Sequence, residues 1–288
     1  MQSYLTKSKN RMKGYVIAAI FIAFAASAAA QKFSVTGFGG TSNYQGDLQA
    51  KRFTFDQSHL AVGAGLLYEF TEKLYGRFNL TLGTISSDDK KDSRNSSRNL
   101  NFTSSITDLH LGAEYHLFSL YERSITPYVF AGISYFHFNP KAIDSGGNKV
   151  ALQPLSTEGE GFYPGRSVYK LNQFALPFGV GIKLSVSEKL TVGVELGLRK
   201  TFTDYLDDVS TNYVDQATLL ANRGPKAVEL AYRGAEVKGG APYPADGAQR
   251  GSAKYNDWYY FTGATIAYQL AGKNGGGKNK TGCPTKVY

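Results

Sequence analysis

Residues 174–200 read FALPFGVGIKLSVSEKLTVGVELGLRK. Every second residue from Leu176 to Val186 is apolar, and the same alternation runs from Leu190 to Leu198 after a polar break at residues 187–189. The residues between them are mostly glycine, small polar or charged. Because side chains on a β-strand point alternately to its two faces, this stretch predicts a hairpin with one apolar face and one glycine-rich polar face.

The arrangement of these two faces favours a membrane barrel over a soluble sandwich. A sandwich also alternates, but the face that it turns inward is the apolar one. A transmembrane β-barrel turns apolar side chains outward to lipid and small or charged ones inward. Each arm of the hairpin spans about 11 residues, and a tilted strand needs roughly 9–11 residues to cross a bilayer.

The same pattern recurs along the chain and predicts an all-β fold, an eight-stranded antiparallel up-and-down transmembrane β-barrel. The alternation leaves the facing of the first and fifth strands open, and the fourth strand loses its apolar phase over 99–107. That part either extends beyond the bilayer or contains a bulge. The predicted strands cover residues 32–41, 59–70, 74–82, 99–117, 127–138, the two arms of the hairpin and 258–270.

The predicted connections alternate between short turns and long loops, as in outer-membrane barrels with short periplasmic turns and long external loops. This alternation places both mature termini in the periplasm. Loop 86–99 is too polar to bury, so we expect it to be solvated and mobile. Two helix-like stretches near 214–222 and 226–233 lie in the last loop. The long loops are 42–57, 86–99, 139–172 and 201–256.

The first 30 residues have the pattern of an export signal. Four basic residues precede an apolar run over 15–26, and Ala28-Ala29-Ala30 stands before Gln31. This order predicts a signal peptide over 1–30, cleaved between Ala30 and Gln31. The alternative is a membrane anchor, for which the run is short. We therefore expect a mature barrel over 31–270 in the outer membrane of a Gram-negative-type envelope, in contact with lipid.

The net charge of +9 comes mainly from the two ends of the chain. Residues 1–30 and 271–288 each carry four basic residues and no acidic one, so a single excess positive charge remains on residues 31–270. A nucleic-acid partner is therefore not expected, since it would need a basic face on the folded part. The tail 271–288 is expected to be a flexible basic periplasmic segment that contacts acidic protein surfaces or anionic lipid. We expect Cys283 in this tail either to be a free thiol or to form an intermolecular disulfide.

The inward-facing positions carry charges that must pair, because a lone charge in a narrow barrel is costly to bury. An eight-stranded barrel has room for side chains but hardly for a channel, so we expect a plugged lumen. The alternative is a conducting path through His110 and His116. These two lie six residues apart, about 20 Å along a strand, too far to share a metal. The predicted lumen charge network is Glu69, Arg77, Asp108, His110, Glu114, His116, Lys183, Glu195 and Arg199.

The chain shows no sequence pattern of an enzyme, a cofactor site or a small-molecule site. There is no Gly-x-Ser-x-Gly and no phosphate-binding glycine loop. A lipid enzyme at the outer rim would have His59 as its only obvious base. Oxygen-rich clusters can bind calcium, but an Asp before a short helix is usually a cap. The cluster concerned is Asp204, Asp207, Asp208 and Asp215.

Several stretches in the same order along the mature chain resemble the PorG-type barrel of the type IX (Por) secretion system. They are SNYQGDL at 42–48, YFHFNPKA at 135–142, LGLRKTFTDYLDDVSTNYVD at 196–215, and Trp258. The resemblance implies an outer-membrane component of a protein export machinery. In that family the barrel associates with a periplasmic ring of a lipoprotein and its partner subunit, and no catalytic residue is known to carry over. A stand-alone structural or adhesion barrel acting through its external loops is the competing function.

Overall fold

The computed structural model describes residues 33–49, 54, 56–91 and 96–270. These residues form nine strands and two α-helices. The strands are β1 (Phe33–Gln45), β2 (His59–Glu69), β3 (Leu74–Asp88), β4 (Asn101–His116), β5 (Ile125–Ile143), β6 (Lys149–Ala151), β7 (Asn172–Ser185), β8 (Leu190–Thr201) and β9 (Trp258–Gln269). The helices are α1 (Gln216–Arg223) and α2 (Pro225–Ala231), with 3-10 turns at Asp89–Lys91, Gln153–Leu155 and Gly234–Glu236.

Eight of the strands close into a barrel, which confirms the predicted fold class. Every neighbouring pair is antiparallel, β1 pairs with both β2 and β9, and the pairing of β4 with β5 completes the ring. The short β6 pairs only with the far end of β5. No helix among residues 33–49, 56–91 and 96–270 has the length and hydropathy to span a membrane.

The apolar residues of the strands face outward, as the alternation predicts. Leu60, Val62 and Leu66 of β2 are exposed, whereas Ala61 and Leu67 between them are buried. The structure shows which residues face inward on β1 and β5, the two strands whose facing the alternation left open. β1 turns its even-numbered residues inward and ends with buried Tyr44, and β5 turns four aromatic side chains into the lumen. These are Tyr128, Phe130, Phe136 and Phe138.

Strands β3 and β4 run on past their last apolar outward positions, Leu82 and Leu109. The register from Leu74↔Tyr115 to Asp88↔Asn101 is unbroken, so the upstream part of β4 extends the strand and contains no bulge. The prediction of a solvated loop over 86–99 is wrong for Ser87, Asp89 and Asn99, which are buried, whereas Lys90, Lys91, Ser96 and Ser97 are exposed. Asp89 forms an ion pair with Arg98 at 2.8 Å, which removes much of the cost of burying either charge.

The long loops pack together over one end of the barrel, which we call the loop end; the other is the turn end. We call the described residues 46–49, 144–171 and 202–257 at this end the loop cap. The main cluster of buried apolar side chains lies here, with Leu48, Phe138, Leu206 and Val209 among its members. The two α-helices lie in the predicted stretches, and Asp215 caps α1 by accepting a hydrogen bond from the Thr218 amide at 2.9 Å.

Three predictions fall outside the part of the chain that the structure describes. They are the signal peptide with its cleavage between Ala30 and Gln31, the basic tail 271–288, and the state of Cys283 within it.

Candidate functional site: a charged lumen beneath an acidic loop junction

The centre of the lumen contains a forked ion pair across the barrel. Arg77 on β3 donates to both carboxylate oxygens of Glu195 on β8, at 2.8 and 2.9 Å. The Tyr128 hydroxyl on β5 donates to the same carboxylate at 2.7 Å. The Arg77 guanidinium also lies 4.0 Å from the centre of the Phe130 ring. This bidentate geometry is the strongest form of an arginine–carboxylate contact, and it ties strands that are not neighbours.

Glu114 on β4 links this pair to the turn end of the lumen. It receives a hydrogen bond from the Lys183 ammonium, lies 2.6 Å from Nε2 of His116 and 3.4 Å from Arg77. All these side chains are buried. Each charge therefore has an opposite partner within contact distance, as the low dielectric of the interior requires.

A second charged layer lies closer to the loop end. Asp108 on β4 accepts hydrogen bonds from the Tyr259 hydroxyl at 2.6 Å and from Ser134 at 3.3 Å. Arg199 lies 3.7 Å from the same carboxylate. His110 is fully buried, and neither of its ring nitrogens has a hydrogen-bond partner in the described part of the chain. The structure therefore places His110 against the Phe130 ring, at 5.7 Å between centroids, outside both ionic layers.

Glu69 lies at the turn end, apart from the other lumen charges. The turn between β4 and β5 folds into the barrel mouth there, and Leu120 is buried. The Tyr121 hydroxyl contacts both oxygens of Glu69, at 3.0 and 2.9 Å. Ser119 donates to Glu72 of the adjacent turn at 3.0 Å. These contacts close the mouth with residues that no sequence pattern singles out.

The free space inside the barrel is small. One lumen cavity, beside Arg77, Asn79 and Glu195, has a volume of about 20 Å³. A second, beside Glu69, Leu120 and Gln269, has a volume of about 40 Å³. About 10–15 Å³ of space for the centre of a water is enough to hold one molecule. The interior therefore has room for isolated waters between packed side chains.

An acidic junction at the loop end was not predicted as a unit. The buried Tyr44 hydroxyl at the end of β1 lies 2.5 Å from Asp207 and 3.2 Å from Asp257. Asp207 belongs to the loop after β8, and Asp257 directly precedes β9. A Cβ on Gly46 would overlap both the Tyr44 hydroxyl and the Asp257 carboxylate, so only glycine allows this close approach.

The junction also holds backbone amides of the loop cap. Asp207 accepts from the amides of Leu48 at 3.3 Å and Val209 at 3.0 Å. Asp257 accepts from the Leu206 amide at 2.9 Å. The three segments that meet at the lumen mouth are therefore fastened to one another through these two carboxylates.

A neighbouring group in the loop cap has one buried cation. Arg250 contacts Glu158 at 3.0 Å and Asp208 at 3.9 Å. Asp208 also accepts from the Tyr169 hydroxyl at 2.6 Å and from Thr157 at 2.6 Å. Burial raises the pKa of Asp208 to about 6 although Arg250 opposes the rise. This half of the loop cap is charge-balanced only through Arg250.

The carboxyl groups at the junction have strongly raised pKa values. Burial and the nearby Asp47 raise the pKa of Asp204 to about 9, although a contact with Ser210 opposes the rise. Burial and Asp47 likewise raise the pKa of Asp207 to about 8. Burial, Asp207 and Asp204 raise the pKa of Asp257 well above its ordinary value. The junction therefore carries fewer negative charges than its carboxyl groups suggest.

The sequence left two chemical functions open, a calcium site at the Asp cluster and a lipid enzyme with His59 as its base. Within residues 33–49, 56–91 and 96–270, no set of three or more His, Cys, Asp or Glu side chains is arranged to hold a metal ion. Asp215 serves as the cap of α1, apart from the junction. His59 contacts Ser86 at 2.6 Å, half-exposed at the rim, and this contact lacks the third, orienting group of a nucleophilic triad.

Comparisons with known proteins find one family and several solved structures. The family described as Domain of unknown function (DUF6089) matches residues 13–158 and 163–221. No curated protein matches the chain at the significance required. Among solved structures, Neisserial surface protein A is similar at 9% identity, covering 82% of this chain and 96% of its own, with a TM-score of 0.41.

Two further solved structures are similar to the same extent. Ail, the attachment invasion locus protein of Yersinia pestis, solved with the heparin analogue sucrose octasulfate, has 8% identity, coverage of 82% and 97%, and a TM-score of 0.40. The outer membrane protein OprG of Pseudomonas aeruginosa has 11% identity, coverage of 83% and 97%, and a TM-score of 0.38.

Proposed function

We propose that this chain, which belongs to the DUF6089 family of unknown function, is a non-enzymatic outer-membrane anchor of a protein-secretion apparatus of the type IX kind. The observation that carries the anchor role is the cross-barrel pairing of Arg77 with Glu195. Two cavities beside the charged side chains of the lumen have volumes of about 20 and 40 Å³. A barrel filled in this way is a rigid support in the bilayer and not a solute path.

The outer surface supports insertion in the lipid of an outer membrane. Leu60, Val180 and Val194 are more than half exposed, on β2, β7 and β8. Such a continuous apolar face on a soluble protein would be an association or aggregation site, whereas a bilayer covers it at no cost. The basic N-terminal segment predicted to direct export and the short turns at one end favour an orientation with the turn end in the periplasm.

The secretion role is supported by the sequence resemblance and by where its residues lie. SNYQGDL supplies Tyr44 and Gly46, and TDYLDD supplies Asp204, Asp207 and Asp208, all at the lumen mouth. The proposed partners are a periplasmic ring lipoprotein and its partner subunit, besides outer-membrane lipid. The turn end and the basic tail 271–288 face this ring, and a disulfide through Cys283 is one means of attachment.

Deleting residues 271–288 is expected to reduce co-purification of the periplasmic ring proteins with the barrel from outer membranes. The reason is the loss of four positive charges and the only cysteine of the chain. The matched variant Cys283→Ser keeps the charges and separates a disulfide from charge attraction. Heat-modifiable gel mobility verifies that each variant still forms the barrel. Unchanged ring recovery after the deletion would exclude the tail as the attachment.

Secretion itself is tested by deleting the whole gene and measuring exported cargo in the medium. Loss of export with an intact envelope supports the proposal, and intact export contradicts it. The second candidate, a stand-alone barrel acting through its external loops, is favoured by the ordered loop cap with its own buried apolar cluster. It predicts intact export together with loss of an adhesive or surface property.

The purified full-length barrel is expected to show no stable open-channel steps in planar lipid bilayers, because the lumen cavities hold only isolated waters. A 16-stranded porin in the same bilayer provides the positive control, since its lumen is an aqueous channel. Discrete steps of long duration from this chain would contradict the closed lumen and restore the path through His110 and His116.

A further inference from the structure

Among the residues that the structure describes, the junction beneath the loop cap has more acidic groups than cations to neutralise them. Asp204, Asp207 and Asp257 are buried. Within the described residues, no lysine, arginine or histidine nitrogen lies within 4.0 Å of their carboxylate oxygens. Uncompensated buried carboxylates are costly, so such groups either pair or keep a proton.

The Tyr44 hydroxyl faces two carboxyl groups with a single proton. It lies 2.5 Å from an oxygen of Asp207 and 3.2 Å from an oxygen of Asp257. A phenol has one O–H donor, and an ionised carboxylate can only accept. Both contacts are therefore full hydrogen bonds when one of the two carboxyl groups carries a second proton.

We propose that a proton held by Asp257 and shared through Tyr44 with Asp207 acts as a latch that closes the loop cap over the lumen mouth. Loss of this proton leaves two carboxylates facing one phenol oxygen, with Asp204 close by. Their repulsion separates the end of β1 from the loop after β8. The latch stands on the geometry of the junction and does not depend on the secretion role.

The latch controls the segment that seals the lumen. Leu206 and Val209, whose amides bind Asp257 and Asp207, are completely or almost completely buried in the apolar cluster of the loop cap. Tyr259 follows Asp257 by two residues, and its hydroxyl donates to Asp108 in the second charged layer of the lumen. Opening the latch therefore exposes apolar surface of the cap and uncovers the layer formed by Asp108 and Arg199.

All the charged groups that face the latch determine the direction of its pH dependence. Burial raises the pKa of all three carboxyl groups. Asp207, Asp204 and Asp47 raise that of Asp257 further, and Asp47 raises that of Asp207, where Arg98 opposes the rise. Asp47, Asp207 and Glu158 raise that of Asp204. Carboxyl groups whose pKa is raised on folding hold protons that the open state releases. Cap stability is then highest at low pH, falls as the pH rises from about 4, and levels off above the raised pKa values.

Trp258 provides a direct probe, since it is the only tryptophan of the chain and follows Asp257. Its fluorescence in the full-length barrel, refolded in lipid vesicles, is expected to titrate between pH 6 and 9.5. The midpoint should lie far above the ordinary range of a carboxyl group, because burial, Asp207 and Asp204 raise the pKa of Asp257 well above its usual value. Cleavage of residues 202–257 by added protease should rise in parallel, on the order of tenfold per pH unit for each proton released on opening.

The variant Asp257→Asn imitates the protonated acid. Its amide oxygen still accepts from Leu206 and its NH₂ group donates to Tyr44, so we expect a flat fluorescence profile and a closed cap at pH 9.5. Glu188→Gln, which removes an exposed carboxylate in the turn between β7 and β8, is expected to titrate like the wild type. Gel mobility before and after heating shows that each barrel is folded.

Two results would overturn the latch. One is a wild-type profile that is flat from pH 6 to 9.5, and the other is an Asp257→Asn profile identical to that of the wild type. If Asp257→Asn does not reach the folded gel mobility, Asp207→Asn takes its place. Its profile is then expected to be flat, and an unchanged titration would likewise overturn the proposal.

Discussion

Replacing Arg77 with methionine is expected to lower the free energy of unfolding of the barrel by about 3–5 kcal/mol, because breaking a buried ion pair leaves its partner uncompensated. Arg77 is 5% exposed and makes both contacts of the fork to Glu195. Glu114, 3.4 Å away, loses part of its neutralisation as well. Urea unfolding in lipid vesicles, followed by Trp258 fluorescence and gel mobility, measures the change.

A second substitution separates lost pairing from lost packing. The double variant Arg77→Met with Glu195→Gln removes both charges and retains an acceptor for Tyr128, so about half or more of the lost stability should return. Arg123→Met, in the exposed turn after β4, is the control and should change stability by less than about 1 kcal/mol. A loss of that small size at Arg77 would show that water reaches the pair and that the lumen is not closed.

The strands could be predicted from the sequence because the alternation of apolar and small residues reflects a physical boundary between lipid and lumen. The prediction failed to orient β5, where Phe130 and Phe136 face inward beside Val129 and Tyr135 that face outward. Aromatic side chains fill a narrow lumen as well as they face lipid. Hydropathy alone therefore carries no facing signal for such a strand.

The lumen charges could be located one by one, but their pairing could not be predicted. Arg77 and Glu195 are 118 residues apart and lie on strands that are not neighbours. Their contact depends on the stagger of the closed barrel. The surroundings of His110 could not be predicted either. The alternation places it inward, but only the fold shows that it lies against Phe130 and has no hydrogen-bond partner among the described residues.

Composition predicted the wrong environment for part of loop 86–99, which contacts the loop cap through Arg98. The loop 86–99 has many charged and polar residues, which is typical of solvated segments, yet Asp89 and Arg98 neutralise each other. At the junction, Tyr44 and Asp257 are 213 residues apart. Nothing local to either residue indicates a shared proton. Loops of this kind obtain their order from pairs that form only when the barrel has closed.

Replacing Arg250 with methionine is expected to open the loop cap and leave the barrel intact. Arg250 is the cation in contact with both Glu158 and Asp208, and its Nε also donates to the carbonyl of Ala231 at 3.2 Å. Removing it leaves two buried carboxylates without a counter-ion, which costs local stability of about 3–5 kcal/mol. Limited proteolysis at pH 7.5 should cut within 202–257, while heat-modifiable gel mobility reports the barrel.

The pH dependence of this variant identifies the cause of the opening. Arg250 holds down the pKa of Asp208, which burial raises to about 6, so its loss moves that pKa further upward. Carboxyl groups with a raised pKa destabilise the closed cap mainly when ionised, and lowering the pH relieves the cost. Cleavage of Arg250→Met is therefore expected to fall markedly between pH 7.5 and 5.5. Arg223→Met, an exposed arginine on α1, should stay resistant at both values. Equal cleavage of Arg250→Met at the two pH values would show that lost packing, and not unpaired charge, opens the cap.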